Sequence, residues 1–203
     1  MNKIRAIPTV YNGVRFRSRL EAKWAAFFDF VGWKWEYEPR DLAGWIPDFR
    51  LEALGAPNGE LLIEVKPVRY EMRIPDAIYF VPGKIISAAP SHELLIVGES
   101  PCFNVGWGGA PNTEGGLIAL GWMVERAGVE WVEEDDEQAD SFSTAFMGFW
   151  SKGYGIRGQY GRWHDRISGL YEGNAAAEHP CSDIKKAWKD ACNRVQWRPG
   201  DRT

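Results

Sequence analysis

The stretch from Trp45 to Pro67 limits what this chain can fold into more than any other. It reads Trp45-Ile46-Pro47-Asp48-Phe49-Arg50-Leu51, a turn-rich break, then Leu61-Leu62-Ile63-Glu64-Val65-Lys66-Pro67. Each half alternates side chains between two faces, the pattern of a strand. Gly55, Pro57, Asn58 and Gly59 lie between them and favour a chain reversal, so the halves are expected to pair as an antiparallel hairpin. Leu61, Ile63 and Val65 then face one way, and Leu62, Glu64 and Lys66 the other. Asp48 shares a face with Ile46 and Arg50. In a matching register, two carboxylates and an ammonium converge on one side of the sheet, a geometry able to bind a metal ion.

The segments around this hairpin extend the pattern. Thr9-Val10-Tyr11, Asn12-Gly13 and Val14-Arg15-Phe16 read as a small hairpin, because Asn-Gly tolerates the positive φ angles of a tight turn. Ser18 to Val31 reads as a helix with Leu20, Trp24, Phe27, Phe28 and Val31 on a wide apolar face. Ser18 is a natural N-cap, Glu21 completes a capping box, and Gly32 ends the helix. Capping alone accounts for Glu21, although it also lies close enough to the apolar stripe to look toward a site on the sheet. Trp33 to Glu38 alternates aromatics with charges, as a half-buried strand does, and Pro39 stops it. A helix is expected over Gly83 to Ala89, and His92 to Gly98 reads as a buried strand. The order through Gly98 is helix, three strands, helix, strand.

Beyond Ser100 the signal weakens. Asn104 to Gly116 and Gly153 to Gly161 are glycine-rich and read as loops. Leu117 to Leu120 and Glu130 to Val132 suggest strands, and Phe142 to Trp150 a short aromatic helix. Ser182 is expected to cap a last helix with Ile184, Trp188, Ala191 and Val195 on one face.

Phosphodiester hydrolysis calls for a metal to polarise the phosphate and lower the pKa of a water, plus a group to stabilise developing charge. Mg²⁺ prefers oxygen ligands. Asp48 and Glu64 can supply carboxylates and Val65 a backbone carbonyl. Lys66, about 6.6 Å beyond Glu64 on the same face, could hold the attacking water or counter charge in the transition state. Each half of this set also has an ordinary reading. Glu-x-Lys on a strand is usually a solvated face, and Pro-Asp at a strand start is a routine turn.

In combination, Pro47-Asp48 followed by Glu64-Val65-Lys66 resembles the core motif of the PD-(D/E)XK nuclease superfamily. Phe16-Arg17-Ser18-Arg19-Leu20-Glu21-Ala22-Lys23-Trp24-Ala25 resembles the first helix of its phage-encoded members. The resemblance covers about residues 8–98. It implies an α/β (α+β) fold with the restriction-endonuclease-like αβββαβ core and a mixed central sheet. The nuclease core then spans residues 1–98, and residues 99–203 form an extra C-terminal α+β region packed on it. The implied activity is a metal-dependent endonuclease or exonuclease acting on DNA, with Mg²⁺ or Mn²⁺ held by Asp48, Glu64 and Val65. Lys66 and Glu21 complete the implied catalytic set. Arg15, Arg17 and Arg19, joined by Arg157 and Arg162, are the expected contacts to nucleic acid. A homodimer is a further expectation, since nucleases that cut both strands are often symmetric.

Charge and cysteine content fit this reading without requiring it. The net charge of −4 divides into +3 over residues 1–50, −11 over 51–149 and +4 over 150–203. Basic ends around an acidic middle leave room for a local phosphate-binding surface. Tyr154, Arg157, Tyr160, Arg162, Trp163, His164 and Arg166 interleave aromatics with cations, which suits single strands or flaps, though a loop packing its aromatics on the core is the preferred reading. His179, Cys181, Cys192 and Cys102 include no Cys-x-x-Cys pair, so structural roles are preferred to zinc. Three cysteines, an odd number and not closely spaced, and no apolar run of membrane-spanning length point to a reduced, cytoplasmic setting, that of a bacterial host if the gene is phage-borne. Two rivals stand beside the nuclease: a catalytically silent nucleic-acid-binding module, and a phage protein whose acidic middle binds another protein.

Overall fold

Asn12 and Gly13, at φ 50° and 78°, turn the chain between the first two strands. In the computed structural model these are Thr9–Tyr11 (β1) and Val14–Phe16 (β2), paired antiparallel. The structure describes residues 6–69, 91–105, 117–125, 141–150, 153–158, 165–170 and 181–196.

Arg19–Val31 forms a helix, α1, with the expected caps. The Ser18 hydroxyl accepts the Glu21 N–H at 3.2 Å. Gly32, at φ 77°, closes the other end, and the Trp33 N–H reaches back to the Phe28 carbonyl. The apolar face of α1 enters a dense aromatic core. Trp24 lies 4.8 Å from Trp188 between ring centroids, and Phe28 meets Phe49 edge-on at 5.4 Å. Trp188 belongs to the second described helix, Cys181–Arg194 (α2), whose Ile184, Ala191 and following Val195 are buried in the same core. The described helix already includes Cys181, so Ser182 sits in its first turn and is not the cap that the sequence suggests.

The other strands form one mixed sheet. They are Trp35–Tyr37 (β3), Phe49–Glu52 (β4), Glu60–Val65 (β5), Glu93–Val105 (β6), Leu117–Glu125 (β7), Ser141–Trp150 (β8) and Gly153–Arg157 (β9). They lie side by side in chain order, antiparallel except for the parallel pair β5–β6. The central hairpin pairs as expected, with Phe49 opposite Ile63 and Leu51 opposite Leu61. A 3-10 turn at Pro57–Gly59 reverses it, with Asn58 and Gly59 at positive φ. Leu61, Ile63 and Val65 face the helices, while Leu62 joins Leu94, Ile96, Trp122 and Val124 in a smaller cluster on the opposite face.

The part beyond Gly98 departs from the sequence reading. β6 continues to Val105, and β7, β8 and β9 extend the same sheet. Phe142 to Trp150, expected as a short aromatic helix, is strand β8. Its aromatic spacing resembles that of a helix, but pairing with β7 on one side and β9 on the other satisfies its backbone in extended form. Gly153 to Gly161, expected as a loop, contains β9. The glycine at 155 is explained by packing, because a Cβ there would stand 2.2 Å from Asp165 Oδ1. The helix expected over 83–89 and the strand over 130–132 lie outside the described residues.

The sheet curls around the helices. The Arg166 N–H donates to the Ile156 carbonyl on β9, while its own carbonyl accepts the Gly55 N–H from the turn after β4. Trp33, just before β3, donates its indole N–H to the Tyr154 carbonyl on β9 at 2.9 Å. Among the described residues, no helix is long and apolar enough to cross a membrane.

Candidate functional site

The carboxylates singled out by sequence meet where β5 leaves the sheet. Asp48 immediately precedes β4. Its Oδ2 accepts the Val65 N–H at 2.7 Å, and its Oδ1 lies 2.5 Å from Arg17 Nη2. Burial, followed by the charge of Glu64, pushes the pKa of Asp48 up from 3.8 to about 7. The Val65 N–H opposes this, Glu21 adds to it and Arg17 opposes it. One carboxylate therefore feels both of the others.

Glu64 is buried on β5, on the opposite face from the aromatic core. Its Oε1 is 2.5 Å from Lys66 Nζ, and its Oε2 accepts the Trp45 indole N–H at 3.3 Å. Strand alternation brings Glu64 and Lys66 to one face, and the flexible lysine stem closes the gap. Lys66 remains partly exposed.

Glu21 combines the two roles considered for it. Its Oε1 accepts the Ser18 hydroxyl at 2.7 Å, and its Oε2 accepts the Arg17 N–H at 3.1 Å and the Tyr37 hydroxyl at 2.6 Å. The box is shifted by one residue, since the carboxylate reaches the N–H before the cap. The same carboxylate is buried and acts electrostatically on Asp48. Burial, then the hydrogen bond to Glu21, pushes the Tyr37 hydroxyl up to about 12, so Tyr37 keeps its proton at neutral pH and donates a hydrogen bond to Glu21.

The expected nucleic-acid contacts do not all gather here. Arg15 is exposed on β2. Arg17 pairs with Asp48 and, through Nε, with Glu38 at 2.8 Å, while much of its side chain faces solvent. Burial disfavours its charge, but Tyr37, Asp48 and Glu38 outweigh that and its pKa rises. Arg19 is half-buried at the start of α1. Arg157 is half-buried on β9, the strand at the other end of the sheet order from β3. Arg162 lies outside the described residues. Arg166 is fully buried, with Nε 2.6 Å from Glu93, and is not available to phosphate.

Sequence reasoning missed Tyr37 and Trp45 as partners of the acidic groups. The alternation of Trp33 to Glu38 showed that Tyr37 shares a face with Trp35, but a contact with a helix 16 residues away in sequence requires the fold. Among the described residues, no group of three or more His, Cys, Asp or Glu side chains is arranged to hold a metal ion. Cys102 and Cys192 are free thiols, and burial pushes both up. His179 and the side chain of Cys181 lie outside the described residues.

The site thus consists of two buried acids, each touching its own cation, and a third acid behind them on a helix. Family models, curated proteins and solved structures offer no match to this chain.

Proposed function

We propose that the protein is a metal-dependent nuclease that hydrolyses DNA phosphodiester bonds, with its site residues in the PD-(D/E)XK order. The observation carrying this reading is the concentration of acid at the end of β5. Asp48 bonds to the N–H of the residue after Glu64, its pKa is raised by burial and then by Glu64 and Glu21, and Lys66 touches Glu64. Buried like charges held this close are costly unless a cation offsets them. A set made only of carboxylate and carbonyl oxygens suits a hard ion such as Mg²⁺ or Mn²⁺.

Asp48 and Glu64 would hold the ion, with the Val65 carbonyl as a third oxygen. When bound, the ion would polarise the scissile phosphate and lower the pKa of a water. Lys66 would orient the attacking water or meet charge developing on the phosphate. Glu21, held by Ser18 and Tyr37, would keep Asp48 oriented and its surroundings acidic. Arg17 would exchange its contact with Asp48 for one with a DNA phosphate, which its exposed side chain can reach.

The same ion pairs favour a second reading. Arg17 on Asp48 and Lys66 on Glu64 already neutralise both acids, as a nucleic-acid-binding module without turnover would allow. Incubation with Mg²⁺ or Mn²⁺ on duplex, single-stranded and branched DNA separates the two. The nuclease cleaves at least one substrate, and Asp48→Ala or Glu64→Ala lowers the rate by about a hundredfold or more. Cleavage unchanged in both variants would remove these residues from the site, and DNA binding without cleavage would establish the silent module.

A further inference from the structure

A cavity of about 970 Å³ opens beside the acidic site, with Glu21 and Val65 in its wall. Arg19, Lys23 and Arg69 bring cations to it, and Leu20, Pro101 and Phe103 bring apolar surface. Glu99 also lines it and pairs with Arg69 at 3.6 Å, which leaves Arg19 and Lys23 as the cations not engaged by that acid. The Nε of Arg19 is buried and has no hydrogen-bond partner among the described residues. A buried guanidinium N–H left in that state costs free energy; this Nε is closed to solvent, so a phosphate in the cavity would meet the outer nitrogens of the Arg19 guanidinium. Lys185 Nζ stands 5.3 Å from the centroid of the Phe103 ring and adds positive charge beside it.

These features match the two halves of a nucleotide. Cations take the phosphate, and an aromatic ring with apolar neighbours takes the base. The volume lies at the upper end of the range for small-ligand sites. A cavity of about 970 Å³ has room for one unpaired nucleotide.

We propose that this cavity is a subsite for an unpaired nucleotide of single-stranded DNA, its phosphate held by Arg19 and Lys23 and its base packed against Phe103. The subsite deepens the nuclease reading by assigning a substrate class, DNA with a single-stranded end or flap, and as a substrate subsite it rests on that reading. Its geometry is nonetheless independent of turnover, because none of its three binding residues is an acid of the candidate centre.

Cys102 lines the cavity and Cys192 does not, which supplies a probe within the native protein. The full chain, in EDTA, is alkylated with N-ethylmaleimide, and each cysteine is followed by peptide mass spectrometry. With a short oligothymidylate at about ten times its Kd, the Cys102 rate is expected to fall about tenfold, and the Cys192 rate far less, since the charge of Lys23 acts on Cys192 but Cys192 does not line the cavity. A blunt hairpin duplex is expected to protect neither. Phe103→Ala and Lys23→Ala should each weaken oligothymidylate binding about fivefold or more, the low end for loss of a base stack or phosphate contact. Equal Cys102 rates with and without oligothymidylate, or equal protection by the duplex, would overturn the subsite. Protection of Cys102 in a protein that cleaves no DNA would retain the subsite and remove the nuclease reading; cleavage without protection would do the reverse.

Discussion

Arg17 Nη2 lies 2.5 Å from Asp48 Oδ1, while the other oxygen of Asp48 accepts the Val65 N–H at 2.7 Å. The acid at the centre of the candidate site is therefore held from both sides, by an exposed cation and by the backbone of the strand carrying Glu64. A divalent ion would compete only with the first of these. Arg17→Ala is expected to cost about 0.5 kcal/mol of stability, since the arginine is largely solvated. It should also tighten Mn²⁺ binding several-fold by calorimetry. Weaker Mn²⁺ binding in the variant would show that Arg17 orients Asp48 and does not compete for it.

The raised pKa of Asp48 gives stability a pH dependence of defined sign. Its folded value, about 7, exceeds the ordinary 3.8, so the folded state binds the proton more tightly than the unfolded state does. This contribution is full below about pH 4 and is lost as pH rises through about 7. Melting temperature in EDTA should fall between about pH 5 and pH 8, and less steeply in Asp48→Asn. Added Mn²⁺ binds the ionised form, so its stabilising effect should be larger at the alkaline end. Parallel profiles for the wild type and Asp48→Asn would contradict this account.

Two substitutions separate the roles of Glu21. Ser18→Ala removes the hydroxyl that accepts the Glu21 N–H, and is expected to cost about 1 kcal/mol in denaturant unfolding. It also removes the hydroxyl donor to Glu21 Oε1, but the Arg17 N–H and the Tyr37 hydroxyl still hold Oε2, so nuclease activity should stay within a few-fold of wild type. Glu21→Gln should also destabilise the helix but lower cleavage by about tenfold or more, because it removes the charge acting on Asp48. Equal activity in the two variants would confine Glu21 to capping.

Gly121 on β7 marks a close approach of two strands. A Cβ there would stand 1.9 Å from the Ile96 carbonyl oxygen, which is backbone and cannot rotate away. Gly121→Ala is expected to destabilise the protein by about 1–3 kcal/mol in chemical denaturation. A loss below about 0.5 kcal/mol would mean that β6 and β7 separate easily.

Asp165 braces the segment whose Arg166 and Ile167 carbonyls bond to the central hairpin at Gly55 and Leu54. Its Oδ1 accepts the N–H groups of Ile156 and Ile167, and its Oδ2 that of Ser168, in a buried setting. Asp165→Ala leaves these donors without the carboxylate and should cost about 3 kcal/mol, read as a lower denaturation midpoint. A midpoint within error of the wild type would show that the hydrogen bonds through the Arg166 and Ile167 backbone hold the segment alone.

The elements read correctly from sequence are those whose local signals agree. The Asn12-Gly13 turn, the Ser18 and Gly32 caps and the Trp45 to Pro67 hairpin each carry turn or cap chemistry at the required position and a periodic apolar pattern beside it. The aromatic run from Phe142 to Trp150 lacked such agreement. Its spacing suited a helix, while pairing with β7 on one side and with β9, which lies in a stretch that reads as a glycine-rich loop, decided that it extends. Arg166 likewise read as one cation of an aromatic and basic run, because nothing near it in sequence announces Glu93.

The sequence by itself determined which side chains share a face: Glu64 with Lys66, and Leu61 with Ile63 and Val65. That follows from the period of the strand, which is local. Only the tertiary structure decided that Asp48 meets the Val65 N–H, that Arg17 and not solvent faces Asp48, and that Glu21 joins them through Tyr37. Those contacts depend on the register between strands and on where α1 lies across them. Register and helix placement are set by the packing of the aromatic core as a whole, which no short window of sequence contains.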